Sequence, residues 1–193
     1  MTDAPRVVIL AGSNGAGKTT AARTVLADKL GVMKFVNADV IATGLSGFDP
    51  EAVAFEAGRI MLDRLHELAD QRVDFAFETT LSGLTYAPWL KSLQASGYHV
   101  SLFYIWLTDV DLAIRRVAIR VAQGGHDIPE ATIRQRYARS IRHFHKLYGP
   151  FVDEWMVYDN SGNDEYGLIA ASRKGQPPTI YDPELWAKFL GGG

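Results

Sequence analysis

Apolar residues run without a break from Val7 to Ala11 and stop at Gly12, the pattern of a strand buried on both faces. Residues 18–30 then read as a helix ending at Gly31, and residues 34–37 as a short second strand. A loop carrying Gly44, Gly47 and Pro50 follows. From residue 51 to 71, Val53, Ala57, Ile60, Met61, Leu65 and Leu68 recur at helical spacing. Residues 75–77 form a third strand, 87–96 a helix closed by Gly97, and 98–107 the longest apolar strand. Ala113, Ile114, Val117, Ala118 and Val121 mark a helix that Gly124–Gly125 ends. Pro129 opens the next helix, with Ile133, Tyr137, Ile141, Phe144 and Tyr148 on one face, and residues 154–158 form a further core strand.

Strands alternating with helices over residues 6–160 predict an α/β fold with a mainly parallel, five-stranded sheet. In the tail, residues 168–171 and 179–181 can pair around a turn at 174–178, and 183–190 can form a short helix. The expected organisation is one domain over residues 1–165 with a C-terminal extension, 166–193, packed on it. The chain of 193 residues is 47% hydrophobic and 22% charged, as in a soluble domain. It has no cysteine, which removes thiol chemistry and Cys-ligated metals. The apolar run at 7–11 is too short to span a membrane, and a cytoplasmic protein is expected. A net charge of −2 argues against bulk nucleic-acid binding.

The chemistry begins at Gly12–Ser13–Asn14–Gly15–Ala16–Gly17–Lys18–Thr19, which fits G-x-x-x-x-G-K-[ST] between a buried strand and a helix. Glycines let successive backbone N–H groups turn inward on phosphate oxygens, and the following helix presents its positive end to the same anion. Lys18 can reach the β- and γ-phosphates of ATP, and the Thr19 hydroxyl can ligate Mg²⁺. Thr20 follows in the same turn. The alternative for this stretch is a glycine-rich turn with a surface lysine.

Two acids address the acceptor. Asp39 follows the second strand, and strand C-termini line the crevice of an open α/β sheet. A carboxylate there can orient an acceptor hydroxyl and take its proton; otherwise it is a helix cap or turn aspartate. Glu78 ends the third strand beside Thr79 and Thr80, as either a solvated strand end or a substrate contact.

Residues 115–146 hold Arg115, Arg116, Arg120, Arg134, Arg136, Arg139, Arg142 and Lys146, eight of the twenty Lys and Arg. Arg116 and Arg120 share a helical face. The break at 123–129 is a natural place for a mobile lid whose arginines stabilise charge on a transferring phosphoryl group. About half of these charges are expected on solvated faces. His126 in the lid can contact phosphate, whereas His143 and His145 read as ordinary surface or helix residues. The nearby aromatics sit at core spacing, which leaves no stacking platform for nucleic acid. Trp89, Trp106, Trp155 and Trp186 read as packing anchors.

Taken in order, AGSNGAGKTT, VNADVIATGLS, FDPEAVAFEAGRIML, FAFETTLSG, RVAQGGHDIP and YDNSG resemble the zeta-toxin family of P-loop kinases, in its compact single-domain bacterial branch, over about residues 6–162. The resemblance implies a three-layer, nucleoside-kinase-like P-loop fold with a helical lid. It implies an ATP- and Mg²⁺-dependent phosphotransferase acting on the 3′-hydroxyl of the sugar in UDP-N-acetylglucosamine. It places Lys18 and Thr19 on the P-loop residues, Asp39 on the catalytic aspartate, and Glu78 and Thr80 on substrate-holding residues. Arg120, with Arg116 on the same face, falls at a lid arginine on the ATP phosphates, and Asn160 and Ser161 fall near the adenine.

The chain departs from the family pattern at two points. Residues 79–83 lack the arginine expected after the acidic strand end, and a second lid arginine is replaced around His126, with Arg134 or Arg136 as substitutes. Glu56 and Arg59 are further candidates for substrate contact. An antitoxin, if the protein has one, would be a separate chain. The acceptor stays open between a nucleotide-sugar and another nucleoside, sugar or antibiotic hydroxyl. A P-loop ATPase or nucleotide switch is the reading from another class. Residues 75–78 are the nearest approach to a metal-binding acidic strand end, and 104–107 ends without an acid.

Overall fold

Strand β1 (Arg6–Ala11) lies in the interior of the sheet, with β3 (Phe75–Thr79) on one side and β4 (His99–Trp106) on the other, both parallel to it. That position explains its unbroken apolar run, since both of its faces are covered. The computed structural model describes residues 4–22, 30–125, 127–162 and 166–192. Its sheet runs β2-β3-β1-β4-β5-β6-β7, where β2 is Phe35–Val36, β5 Glu154–Asp159, β6 Gly167–Arg173 and β7 Thr179–Ile180. The five parallel strands are those expected. The sheet nonetheless has seven strands rather than five, because β6 pairs antiparallel with β5 and β7 with β6. The tail hairpin therefore continues the sheet instead of standing beside it.

Side chains alternate across the strands and build one core on each face. Val7, Ile9, Phe75, Phe77, Val100, Leu102, Tyr104 and Trp106 pack with α3 (Ala54–Asp70), α4 (Tyr86–Ala95) and α7 (Pro183–Gly191) through Met61, Leu65, Leu90, Trp186 and Phe189. Val8, Leu10, Phe103 and Ile105 face the other way, toward α1 (Lys18–Ala22) and α5 (Val110–Ala122). The expected helix at 18–30 is described as far as Ala22; residues 23–29 lie outside the described residues. Trp106 and Trp186 are buried, and Trp89 and Trp155 pack partly buried on the first core.

A second difference concerns residues 38–45. The glycines and proline suggested a loop, but Ala38–Leu45 is a helix, α2, before the turns that lead to α3. Asn37 caps it from an extended backbone, with Oδ1 accepting from the N–H groups of Asp39 and Val40. This is ordinary N-cap chemistry, and it makes Asp39 a first-turn residue.

Helix α6 (Glu130–His143) runs into one π-helical turn, Phe144–Tyr148, closed by Gly149 N–H on Phe144 O at 2.8 Å. This turn carries His145 into the aromatic cluster of Phe144, Trp186 and Phe189. His143 and His145 lie in helical turns, as one of their two expected readings had it, and are partly buried: His143 Nδ1 lies 2.9 Å from Leu81 O, and His145 Nε2 lies 3.4 Å from Phe189 O. Burial lowers the His145 pKa from its ordinary 6.5, against the opposing hydrogen bond to Phe189. A histidine held neutral stabilises the fold above its unfolded pKa. That contribution is lost as pH falls from about 6.5 toward the folded value, because the unfolded chain takes up the proton first. His145→Gln keeps a polar group there but does not titrate. Its melting temperature should therefore fall less than that of the wild type between pH 7 and 5, with each kcal/mol of lost linkage equal to about 2–4 °C. Parallel melting curves would discount the contribution.

Candidate active site

The loop between β1 and α1 curls because three glycines adopt positive φ: Gly12 at 143°, Gly15 at 74° and Gly17 at 86°. A Cβ at Gly12 would run into the Ile105 carbonyl oxygen, and one at Gly15 would lie 2.6 Å from Ala113 O. The loop is thus pressed against the end of β4 and the start of α5, and only glycine fits. Ala16 N–H closes a turn on Ser13 O at 3.2 Å, and Ser13, Asn14, Ala16 and Lys18 are buried. Lys18 Nζ donates to Ser13 O at 2.9 Å and stands 3.6 Å from Glu78 Oε1.

The register of the sheet brings the first acid to this loop. Glu78 pairs with Leu10 of β1, one step from the loop, and its carboxylate accepts from Thr19 Oγ1 at 2.9 Å and from Asn37 Nδ2 at 2.8 Å. The second acid, Asp39, enters on α2. It lines three adjoining cavities. One, of about 210 Å³, is walled by Asn14, Gly15, Gly17, Lys18, Thr19, Thr20, Glu78, Arg116 and Arg120, and is the cleft where the sequence motif leads one to expect phosphate. A second, also about 210 Å³, adds Thr79, Thr80, Ser82, Tyr86 and Arg136. The third, about 550 Å³, opens between α2 and the start of α3, with Ala42, Thr43, Pro50, Ala54 and Arg120 on its wall. On the wall of the second cavity the Thr80 and Ser82 hydroxyls meet at 2.8 Å, and Leu81 between them takes φ 59°.

The other residues read from the sequence divide. Arg116 and Arg120 both reach the phosphate cleft, and Arg116 Nη2 also donates to Gly162 O at 3.2 Å. Of the two substitute arginines, Arg136 comes to the site, 3.4 Å from Asn14 Oδ1. Arg134 is turned to Asp111 and Glu130, at 2.6 and 2.8 Å, on the exposed side of α6. Arg59 is exposed on α3 and lines none of the three cavities. Asn160 sits against the loop itself, with Nδ2 donating to Ala16 O at 2.9 Å, and Tyr166 OH donates to Gly17 O at 3.0 Å. Together they hold the loop's carbonyls from the β5–β6 side. Ser161 binds Thr108 N–H at 2.8 Å. His126 lies outside the described residues.

Asn37 and Tyr166 were not singled out from the sequence. For Asn37 a signal existed, since an asparagine two residues before an acid and just ahead of apolar residues is a helix-start pattern. For Tyr166, in a long strand connection, there was none.

The residues present fit ATP–Mg²⁺. The loop has the positive-φ glycine conformations of an anion cradle, and Cβ atoms there would collide with the β4, α5 and Asn160 groups that hold the loop in this shape. The Thr19 hydroxyl beside the Glu78 carboxylate supplies hard oxygen donors.

Residues 7–140 match the AAA_33 family, an AAA domain. An uncharacterized protein of Haemophilus influenzae is 30% identical over 132 residues, which cover 68% of this chain and 92% of that protein. A chain of the AvrRxo1-ORF1:AvrRxo1-ORF2 complex, solved with sulphate ions, superposes with a TM-score of 0.76 at 17% identity over 96% of this chain. The same complex solved with ATP gives 0.74 at 17% identity over 97% of this chain. This chain spans 63% and 64% of those two. A structure from the PezAT chromosomal toxin-antitoxin system of Streptococcus pneumoniae gives 0.67 at 18% identity, over 99% of this chain and 80% of that one. These likenesses show a shared fold, the α/β P-loop kinase-like fold.

Proposed function

We propose that this chain, which belongs to the AAA_33 family of AAA domains, transfers the γ-phosphoryl group of ATP to a hydroxyl of a small molecule. The observation that carries this reading is the place of Asp39: one acid lines the phosphate cleft and both neighbouring cavities, where donor and acceptor must meet. The loop N–H groups and Lys18 bind the phosphates, with Arg116 and Arg120 on the opposite wall. Thr19 is the residue that would hold Mg²⁺, which would offset charge on the β- and γ-phosphate oxygens. Asp39 accepts the proton of the acceptor hydroxyl as its oxygen bonds to the γ-phosphorus and the bond to the ADP oxygen breaks. Glu78, Thr80 and Ser82 line the acceptor side, and Arg136 stands at the seam between loop and acceptor.

The acceptor we propose is a nucleotide-sugar such as UDP-N-acetylglucosamine, in keeping with the zeta-toxin resemblance and with the toxin-antitoxin system named for one structural relative. A separate antitoxin chain and a cytoplasmic location belong to the same reading; no described helix is long and apolar enough to cross a membrane. So does an organisation of a kinase domain, residues 1–165, with the 166–193 extension.

The experiment is incubation with ATP–Mg²⁺ and UDP-N-acetylglucosamine, with nucleosides, free sugars and aminoglycosides in parallel, and products read by mass. A nucleotide-sugar heavier by one phosphoryl group supports the assignment. Phosphorylation of another acceptor alone replaces it. One observation favours a second reading, ATP hydrolysis as a switch: Glu78 is the penultimate residue of a strand beside β1 and accepts from the P-loop threonine, the place of a metal-side acid in an ATPase. ADP with every acceptor unmodified would support that reading.

A further inference from the structure

We infer that Asn37 is a positioning residue that ties the proposed base to the phosphate loop. The inference rests on the phosphotransferase reading of Asp39 and deepens it. Asn37 is 6% exposed, and its carboxamide is bonded at both ends. Oδ1 accepts from Asp39 N–H at 2.7 Å and from Val40 N–H at 3.4 Å, while Nδ2 donates to Glu78 Oε2 at 2.8 Å. The same Glu78 oxygen accepts from Thr19, and the other carboxylate oxygen faces Lys18. A continuous path therefore runs from the phosphate-binding residues through Glu78 and Asn37 to the backbone of Asp39.

Capping alone does not require this side chain. Aspartate or serine caps a helix as well as asparagine does. What those residues lack is a donor at the far end that can meet a carboxylate. Aspartate would set a second negative charge against Glu78, and serine does not reach it. The amide thus couples the first turn of α2 to β3 and fixes Asp39 relative to the site where phosphate sits. Misplacing a reacting group by about 1 Å costs on the order of 10²-fold in rate, so losing this tie acts on turnover rather than on ATP binding.

The test measures ATP–Mg²⁺ hydrolysis to water, which needs no identified acceptor, together with melting temperature. Asn37→Asp, Asn37→Ser and Asn37→Ala are compared with the wild type, and Lys18→Ala and Asp39→Asn run beside them. Asn37→Ser keeps the cap and should melt closest to the wild type; Asn37→Asp keeps it too but should melt lower, because its carboxylate meets that of Glu78, and Asn37→Ala should melt lower for want of the cap. All three should lose kcat by about tenfold or more, with the KM for ATP within about threefold. Should Asn37→Asp not fold, Asn37→Ser carries the same comparison. If kcat instead returns to the wild-type value in the capping variants Asn37→Asp and Asn37→Ser, Asn37 is a cap only and the inference is overturned. That result leaves the phosphotransferase reading standing as long as Lys18→Ala and Asp39→Asn still lose activity. Full hydrolysis by Asp39→Asn would overturn the reading itself, and with it the role given to Asn37.

Discussion

Replacing Lys18 by alanine is expected to abolish measurable ATP turnover, with a loss of roughly 10²–10³-fold or more, the cost typical of one preorganised donor aimed at developing charge. Lys18 is the cation built into the loop, and it is placed by its surroundings rather than by solvent. It is 6% exposed, bonded to Ser13 O and set against a Glu78 carboxylate that is itself mostly buried. The substitution therefore also touches stability. Removing one partner of a buried pair leaves the other charge without its counter-ion, and such losses reach about 3–5 kcal/mol. Here Thr19 and Asn37 still donate to Glu78, so a smaller loss is expected. Lys18→Met fills the same channel with an apolar stem. Melting curves of both variants separate a lost cation from a loosened fold. A folded Lys18→Met that turns over ATP at the wild-type rate would remove the phosphate reading of the loop.

Asp39→Asn should leave ATP binding within a few-fold of the wild type and lower transfer by about 10²–10⁴-fold, the range for loss of a general base. The reasoning is positional. Asp39 stands in the first turn of α2, on the wall shared by the phosphate cleft and the two adjoining cavities, whereas Glu78 is engaged by Thr19, Asn37 and Lys18. Glu78 is thus already engaged with the loop, which leaves Asp39 as the carboxylate proposed to take the acceptor's proton. Asparagine keeps the shape and a place in the helix but cannot take a proton at neutral pH. Equal ATP affinity, read by calorimetry, beside lost transfer is the pattern of an interaction made in the transition state alone.

Much of this was legible in the chain because the signals are local. The loop needs glycine at positions that no side chain can occupy, and a strand covered on both faces must be apolar throughout. The five parallel strands and the tail hairpin followed from the same patterns. Other features depended on partners distant in sequence. Residues 38–45 read as loop because Gly44, Gly47 and Pro50 crowd a helix of only two turns, and the cap at Asn37 outweighs them. The hairpin of β6 and β7 was legible as a hairpin, but its union with the sheet depends on the free edge of β5. Arg134 and Arg136 are two residues apart, so on a helix they point to nearly opposite sides. Composition could not say that Arg136 would meet Asn14 while Arg134 met Asp111. His143 and His145 read as surface or helix residues; both do fall in helical turns, but nothing in the spacing showed that the helix expected at 183–190 would pack over His145.

The most direct test of the central claim is phosphoryl transfer to an acceptor hydroxyl at saturating ATP–Mg²⁺ by the wild type and Asp39→Asn, side by side, with products resolved by mass. A phosphorylated acceptor from the wild type and at least about tenfold less from Asp39→Asn is the expected result. Equal product from the two proteins would contradict the account, because the acid on which donor and acceptor cavities converge would then have no part in the reaction.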